Sequence, residues 1–356
     1  MNPSVRIDLS RPADLAALAT AWRSLEARAD ASFFQSWTWV GCLAAERFAD
    51  PLLLHAARDG ETLGLALLNR GGPALWLGES GDAALDAVYV EHNGPVLARG
   101  HTALLADCLG ALLHAPLAAA GAGWRRRLRL SGVDGAQLAA ARMAGAVRIL
   151  RRSPAPFVDL TALDGADGFL SSLSANTRRQ LRRSDRAYAE AGAFAVRRAD
   201  SLAEALAFLD ELAVLHQASW IARGRPGAFA NPDFMRFHRA LLARAVPRGE
   251  ADLLRVTAGA TVVGYLYNFR YRGRVHAYQS GFDYNAAPEH AKPGLTCHHA
   301  AIALARRENL TAYDFLAGGD RYKTSLANAT TTLYWLDAAP RWSPWGMAFR
   351  LAAKGH

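Results

Sequence analysis

The chain has 356 residues, 51% hydrophobic and 21% charged, which allows two ordinary domains with buried cores and excludes a disordered, collagenous or coiled-coil protein. Its formal charge is +9, but only three of its 41 basic residues are lysines (Lys292, Lys323 and Lys354), so an Arg- and Ala-rich composition accounts for the basicity better than nucleic-acid binding does; an anionic ligand stays compatible. Cys42, Cys108 and Cys297 are odd in number, far apart and without CxxC spacing, which argues against a disulfide scaffold or zinc ribbon and for a reducing cytoplasm.

The N-terminal MNPSVRIDLSRPADL has no apolar core after a basic start, so it does not read as a signal peptide. Val5–Leu9 is a strand, and Ala13–Ala29 and Ser36–Phe48 are helices. Pro51–Ala57 and Thr62–Arg70 form strands turned at Arg58-Asp59-Gly60, and Ala74–Leu77 is a third. His101–Ala115 is a helix stopped by Pro116, Trp124–Leu130 a strand, Ala136–Met143 a helix and Val147–Leu150 a strand. The most apolar stretch, Ala103–Gly123, contains Asp107, His114 and Pro116, so no membrane span is expected. Arg151–Pro156 (RRSPAP) reads as a polar, proline-bearing link, giving domains at 1–152 and 153–356.

The second half repeats the order. Asp164–Ala191 holds one or two helices, with Ser174 and Asn176 as caps. Ala193–Ala199 alternates like a strand, while Ser201–Ala222 and Phe234–Ala245 are helical. Ala251–Thr257 and Thr261–Arg270 flank a tight turn at Ala258-Gly259-Ala260, and a turn at Tyr271-Arg272-Gly273 leads into strand Arg274–Phe282. Pro293-Gly294 opens helix Leu295–Asn309; strand Leu310–Leu316 ends in Ala317-Gly318-Gly319-Asp320; helix Arg321–Ala327 and strand Thr330–Asp337 follow. Hairpins followed by a helix linking two parallel neighbours make each half α+β, a mixed and mostly antiparallel sheet flanked by helices. Two passes through one order point to internal duplication.

This order resembles the GNAT fold, in tandem. SANTRRQLRRSDR (Ser174–Arg186), HQASW and the following RG (His216–Gly224), YQSGFD (Tyr278–Asp283), KPGL (Lys292–Leu295) and YDFLAGGDRYK (Tyr313–Lys323) resemble the BioF-like acetyltransferases, the group of the CelD-type proteins, itself related to the Fem aminoacyl transferases. In the first half FFQSWTW (Phe33–Trp39) and HNGPVL (His92–Leu97) are similar to Fem-type segments, and that half is expected to be a degenerate copy.

The resemblance implies an acyl donor, acetyl-CoA or another acyl-CoA, whose pyrophosphate sits on the N-terminus of the central helix. Free N–H groups and the helix dipole favour an anion there. The donor residues would be Lys292, Gly294, Leu295 and Thr296, with Gln279 on the neighbouring strand and Arg178 on the preceding helix. Only Gly294 remains of the usual Arg/Gln-x-x-Gly-x-Gly loop, and Pro293 removes one donor. Strands Arg274–Phe282 and Leu310–Leu316 would splay to receive the pantetheine arm. The run Arg178-Arg179-Gln180-Leu181-Arg182-Arg183 could bind phosphate or be a solvated helix face.

Asp320, Tyr322 and Lys323 follow the glycine turn and are the main catalytic candidates: Tyr322 to protonate the leaving thiolate, Lys323 to bind an anionic acceptor or steady the oxyanion. As alternatives, Asp320 caps a helix and Lys323 is solvated. His216 is a candidate base or a hydrogen-bonded core histidine, with Trp220 one turn later. Trp37, Trp220 and Tyr278 are candidate acceptor-binding aromatics, and Cys297 reads as packing. His290, His298 and His299 lack the spacing of a metal site, so no metal is expected. The function implied is transfer of an acyl group, acetyl above all, to an amine of a small molecule, amino sugar or peptide. A Fem-type transferase using charged tRNA, or a non-catalytic scaffold in polysaccharide synthesis, are the alternatives; the short helices, with no long helical arm, favour the first.

Overall fold

Asp59 and Gly60 have φ of 51° and 82°, and Arg272 and Gly273 have 47° and 75°. Two consecutive positive φ values are what a two-residue hairpin needs to match strand twist, so both predicted turns close hairpins. The computed structural model describes residues 4–86, 89–114, 126–165 and 168–354. The expected stop at Pro116 and strand start at Trp124 lie outside the described residues.

The chain begins with β1 (Arg6–Ser10), α1 (Leu15–Ala27), α2 (Trp37–Glu46), β2 (Pro51–Arg58), β3 (Glu61–Gly71), β4 (Ala74–Leu77) and β5 (Val96–Leu97). It continues with α3 (Leu104–His114), β6 (Arg127–Val133), α4 (Gly135–Ala144) and β7 (Ala146–Asp159). Next come α5 (Gly168–Ser172), α6 (Ala175–Ala191), β8 (Phe194–Arg198), α7 (Leu202–Ile221) and α8 (Pro232–Ala245). β9 (Ala251–Ala258), β10 (Thr261–Tyr271), β11 (Arg274–Phe282), α9 (Pro293–Arg307), β12 (Ala312–Asp314) and α10 (Arg321–Leu326) follow. β13 (Ala329–Ala339) and α11 (Pro344–Lys354) end it.

Two compact units emerge: Met1–Ser153 with Thr332–His356, and Pro154–Thr331. In the first, β1-β2-β3-β4 are antiparallel neighbours, β6 lies parallel to β4, and β13 pairs antiparallel with β6. In the second, β8-β9-β10-β11 are antiparallel, β12 is parallel to β11, and the end of β7 pairs antiparallel with β12. One strand order thus occurs twice, as a mixed, mostly antiparallel GNAT-like sheet. The last strand of each sheet comes from the other half of the sequence. Residues 332–354, expected with the second domain, accordingly belong to the first unit.

The expected link at 151–156 is part of strand β7. Pro154 and Pro156 are accommodated because only their carbonyls are used, accepting from the N–H groups of Gly318 (2.9 Å) and Phe315 (3.0 Å). In the first unit, Leu54, Leu68, Leu112 and Leu128 pack in one buried cluster, each Leu stabilising by about 1.5–3 kcal/mol. In the second, Leu181 of α6 and Ala301 and Ile302 of α9 cover one sheet face with Leu254, Leu266 and Tyr313. Rings of Phe234, His238, Tyr267 and Tyr278 pack together among α8, β10 and β11. Among the described residues, no helix is long and apolar enough to cross a membrane.

Candidate functional site

The second unit opens where β12 leaves β11. Their parallel pairing covers only Arg274–Ala312, Val275–Tyr313 and His276–Asp314, after which β12 ends. β11 runs on to Phe282 paired with β10. The expected strand Leu310–Leu316 is therefore shorter. Leu316 has φ 61°, a backbone that a leucine adopts only when held, and Asp314 holds it: its Oδ1 accepts the Leu316 N–H at 2.8 Å. Asp314 is in turn held by the Arg274 guanidinium at 3.1 Å. The expected splay is present, and a buried carboxylate fixes its hinge.

A β-bulge marks the free part of β11. Tyr267 pairs with Gln279 and Asn268 with Ala277, which leaves Tyr278 as the extra residue. A bulge interrupts the ladder, leaves backbone groups unpaired and re-aims side chains. Tyr278 turns into the aromatic core, 4.9 Å from the Phe269 ring centroid and 5.0 Å from that of His238, so its ring is packing. Gln279 is half-buried.

The N-terminus of α9 comes to the same place. Its first described intrahelical acceptor of this turn is Lys292 O, bonded to Thr296 N at 3.2 Å. Helix geometry leaves the N–H groups of Gly294 and Leu295 directed off the end, while Pro293 has none. α6 braces this turn: Ser184 Oγ accepts the Lys292 N–H (2.7 Å) and bonds Thr296 Oγ1 (2.8 Å). Thr296 Oγ1 also donates to Asp185 Oδ1 (2.8 Å), and Asp185 Oδ2 holds His299 Nδ1 (2.9 Å). Leu295 and Thr296 point their side chains inward, so any ligand contact here is through the backbone. A methyl at Gly294 would lie 3.1 Å from the Phe282 ring. Lys292 Nζ reaches Gln180 Oε1 at 2.7 Å. Arg178 donates to Leu173 O at 3.4 Å, while Arg179, Arg182, Arg183 and Arg186 are exposed along α6 opposite its buried stripe of Thr177, Leu181, Ser184 and Tyr188.

Between the parting strands stand rings. His298 lies 5.9 Å from Phe282, 5.3 Å from Phe315 and, stacked at 17°, 5.5 Å from Tyr322. His298 is 3% exposed; Nδ1 bonds Tyr313 Oη at 2.9 Å, and Nε2 has no partner among the described residues. Burial, aided by Lys323, lowers its pKa to about 3, so the ring is neutral. Tyr322 is the outermost ring, 38% exposed, and burial followed by the charge of Asp320 raises its pKa well above 10. Lys323 Nζ donates to Ala317 O at 2.8 Å, closing the glycine turn beneath. Asp320 occupies the N-cap of α10, with no side-chain capping bond.

The other candidates stand apart from this cluster. His216 is 5% exposed: Nδ1 donates to Ser280 O (3.0 Å) and Nε2 accepts the Ala228 N–H (3.3 Å). Both nitrogens are engaged and burial lowers its pKa, so this ring pins α7 to β11 and is not placed to take a proton. Trp220 stacks on it at 5.6 Å. Trp37 belongs to the first unit, 6% exposed and 5.6 Å from Trp22, in its aromatic core. Ser184, Asp185, Phe282 and His298 were not anticipated. Ser184 and His298 carry a signal, a polar residue on an apolar stripe: Ser184 at the spacing Thr177, Leu181, Ser184, Tyr188, and His298 at Leu295, His298, Ile302, Ala305; Asp185 and Phe282 carry none.

Residues 175–324 match the family of acetyltransferase (GNAT) domains. No curated protein sequence matches the chain. Among solved structures it is similar to FemX (TM-score 0.59, 11% identity, 96% of this chain and 100% of that one). It is also similar to L-PGS from Bacillus licheniformis (TM-score 0.54, 12% identity, 94% and 96%) and to the C-terminal domain of a candidate lysylphosphatidylglycerol synthetase from Agrobacterium fabrum (TM-score 0.58, 14% identity, 96% and 96%). At such identities these likenesses show the fold alone.

Proposed function

We propose that this chain transfers an acyl group from acyl-CoA, acetyl-CoA first among them, to the amine of a small molecule, amino sugar or peptide, a reading supported by the match of residues 175–324 to the acetyltransferase (GNAT) domains. The carrying observation is that β11 loses its partner after three residue pairs, at the place where the N-terminus of α9 and the Tyr322 ring converge. The donor pyrophosphate would take the Gly294 and Leu295 N–H groups, where the helix dipole favours an anion. Lys292, whose Nζ lies 2.7 Å from Gln180 Oε1, adds positive charge beside it. The pantetheine arm would run over the ring stack along the open edge of β11, bonding backbone groups other than the Ser280 carbonyl, which His216 holds, with the thioester near the bulge at Tyr278.

In the reaction the amine attacks the thioester carbonyl. A C–N bond forms, the C–S bond breaks, and the thiolate leaves while the amine releases a proton to solvent. Tyr322 suits the thiolate's need for a proton, since its raised pKa keeps the phenol protonated at neutral pH. Neutral His298 holds the phenol ring from below. Lys323 shapes the turn that carries Tyr322 through its bond to Ala317 O. The test is a thermal-shift titration with acetyl-CoA, longer acyl-CoAs and charged tRNA, since a ligand of the native state raises stability by mass action. Stabilisation by acyl-CoA is expected; stabilisation by tRNA alone, or by none of them, overturns the reading.

A further inference from the structure

The first unit ends in α11, and this segment carries a concentration of exposed apolar side chains. Trp342 is 78% exposed, Trp345 38%, Met347 45% and Leu351 73%. The helix is anchored from the opposite side: Phe349 is buried against Ala146 and Ala339, and Ser343 and Gly346 are buried with it. Met347 and Leu351 are one turn apart, so with Ala348 they line one outward stripe. Met143 of α4, 71% exposed, adjoins the start of this segment, because Arg341 donates to its carbonyl at 3.2 Å. Scattered exposed apolar residues are ordinary, but this stripe, with the Trp342 ring presented beside it, marks a surface that meets something apolar, while Trp345 packs on Phe349 and under Arg127 on the anchored side.

Charge identifies what it meets. Residues 340–354 contain Arg341, Arg350 and Lys354 and no acidic residue, in a chain of net charge +9. Arg350 lies over the Trp342 ring at 4.3 Å, so cation and indole are presented together. A second copy of this face would set like charges against one another, since a twofold contact is self-complementary. An anionic bilayer offers both things the segment lacks: an apolar layer for Met347 and Leu351, and a negative headgroup zone for the arginines, with indoles at the boundary. We propose that α11 is a peripheral membrane anchor that seats the first unit on anionic lipid.

The test is co-sedimentation of the full chain with vesicles of phosphatidylcholine alone and with 30% phosphatidylglycerol, at low and high salt. Binding to the anionic vesicles is expected, at least tenfold weaker on neutral ones and weakened by salt. Leu351→Glu and Trp342→Ser should each reduce it tenfold or more without shifting Tm, because both side chains point to solvent. Arg350→Gln should reduce it less. Absence of binding, equal binding by Leu351→Glu, or a dimer in gel filtration that Leu351→Glu dissolves while vesicles are ignored, would each overturn the proposal.

Discussion

The two units share a strand order but treat their parallel pair differently. In the first, all four residues of β4 pair with β6, from Ala74–Arg127 to Leu77–Leu130. In the second, three of nine residues of β11 pair with β12. The closed pair is reinforced by charge: Asp337, 2% exposed, receives Arg129 (2.7 Å) and Arg127 (3.4 Å), and both guanidinium groups lie over Trp76. The open pair has instead a bulge, a helix N-terminus and a ring stack. One fold therefore yields a copy whose fourth strand, β4, stops with its pairing and one whose equivalent strand, β11, runs on, and the difference lies in how far that strand continues.

That contrast can be broken most forcefully at Asp337. Asp337→Ala leaves two arginines beside a buried gap and should destabilise by about 2–4 kcal/mol in denaturant unfolding. Turnover per folded molecule should be unchanged; a matching fall in turnover would make the first unit part of the catalytic machinery. Tyr322→Phe should do the reverse, lowering kcat by about 100-fold with stability intact, as loss of a general acid does. Unchanged kcat would remove Tyr322 from the mechanism.

A third test uses pH. Glu79 lies in the first unit, and burial above all raises its pKa from 4.5 to about 7, against the lowering effect of Ser131. A carboxyl with a raised folded-state pKa binds its proton more tightly when folded. Its contribution is full below pH 4.5 and is lost as pH rises through 7. Unfolding free energy should fall by on the order of 2 kcal/mol across that window, and Glu79→Gln should flatten the fall. The smallest effect sharpens the open site: Gly294→Ala presses on Phe282 and should cost about 1 kcal/mol while weakening acyl-CoA binding a few-fold. Tighter binding would show the close approach there to be irrelevant.

Much of this architecture was legible in residues. The Asp59-Gly60 and Arg272-Gly273 turns announced their hairpins, and Pro293-Gly294 announced α9. Periodicity could not show that β7 and β13 each complete the other half's sheet, because strand partners are set by long-range pairing. RRSPAP looked like a link since prolines usually interrupt strands; here their carbonyls alone are needed. At the site, Gly294 and Tyr322 stood out by motif. His298 did not, because a histidine on a core stripe reads as packing until its neighbours are known. His216 was a sound candidate by type, and two hydrogen bonds make it a pin.

Hydrogen exchange followed by mass spectrometry, with and without acetyl-CoA, bears most directly on where the donor lies. Residues 278–282 and 292–297 should gain protection, and residues 74–77 and 127–133 should not change. Protection confined to the first unit's parallel pair, or a donor that binds without slowing exchange at the free edge of β11, would contradict the assignment.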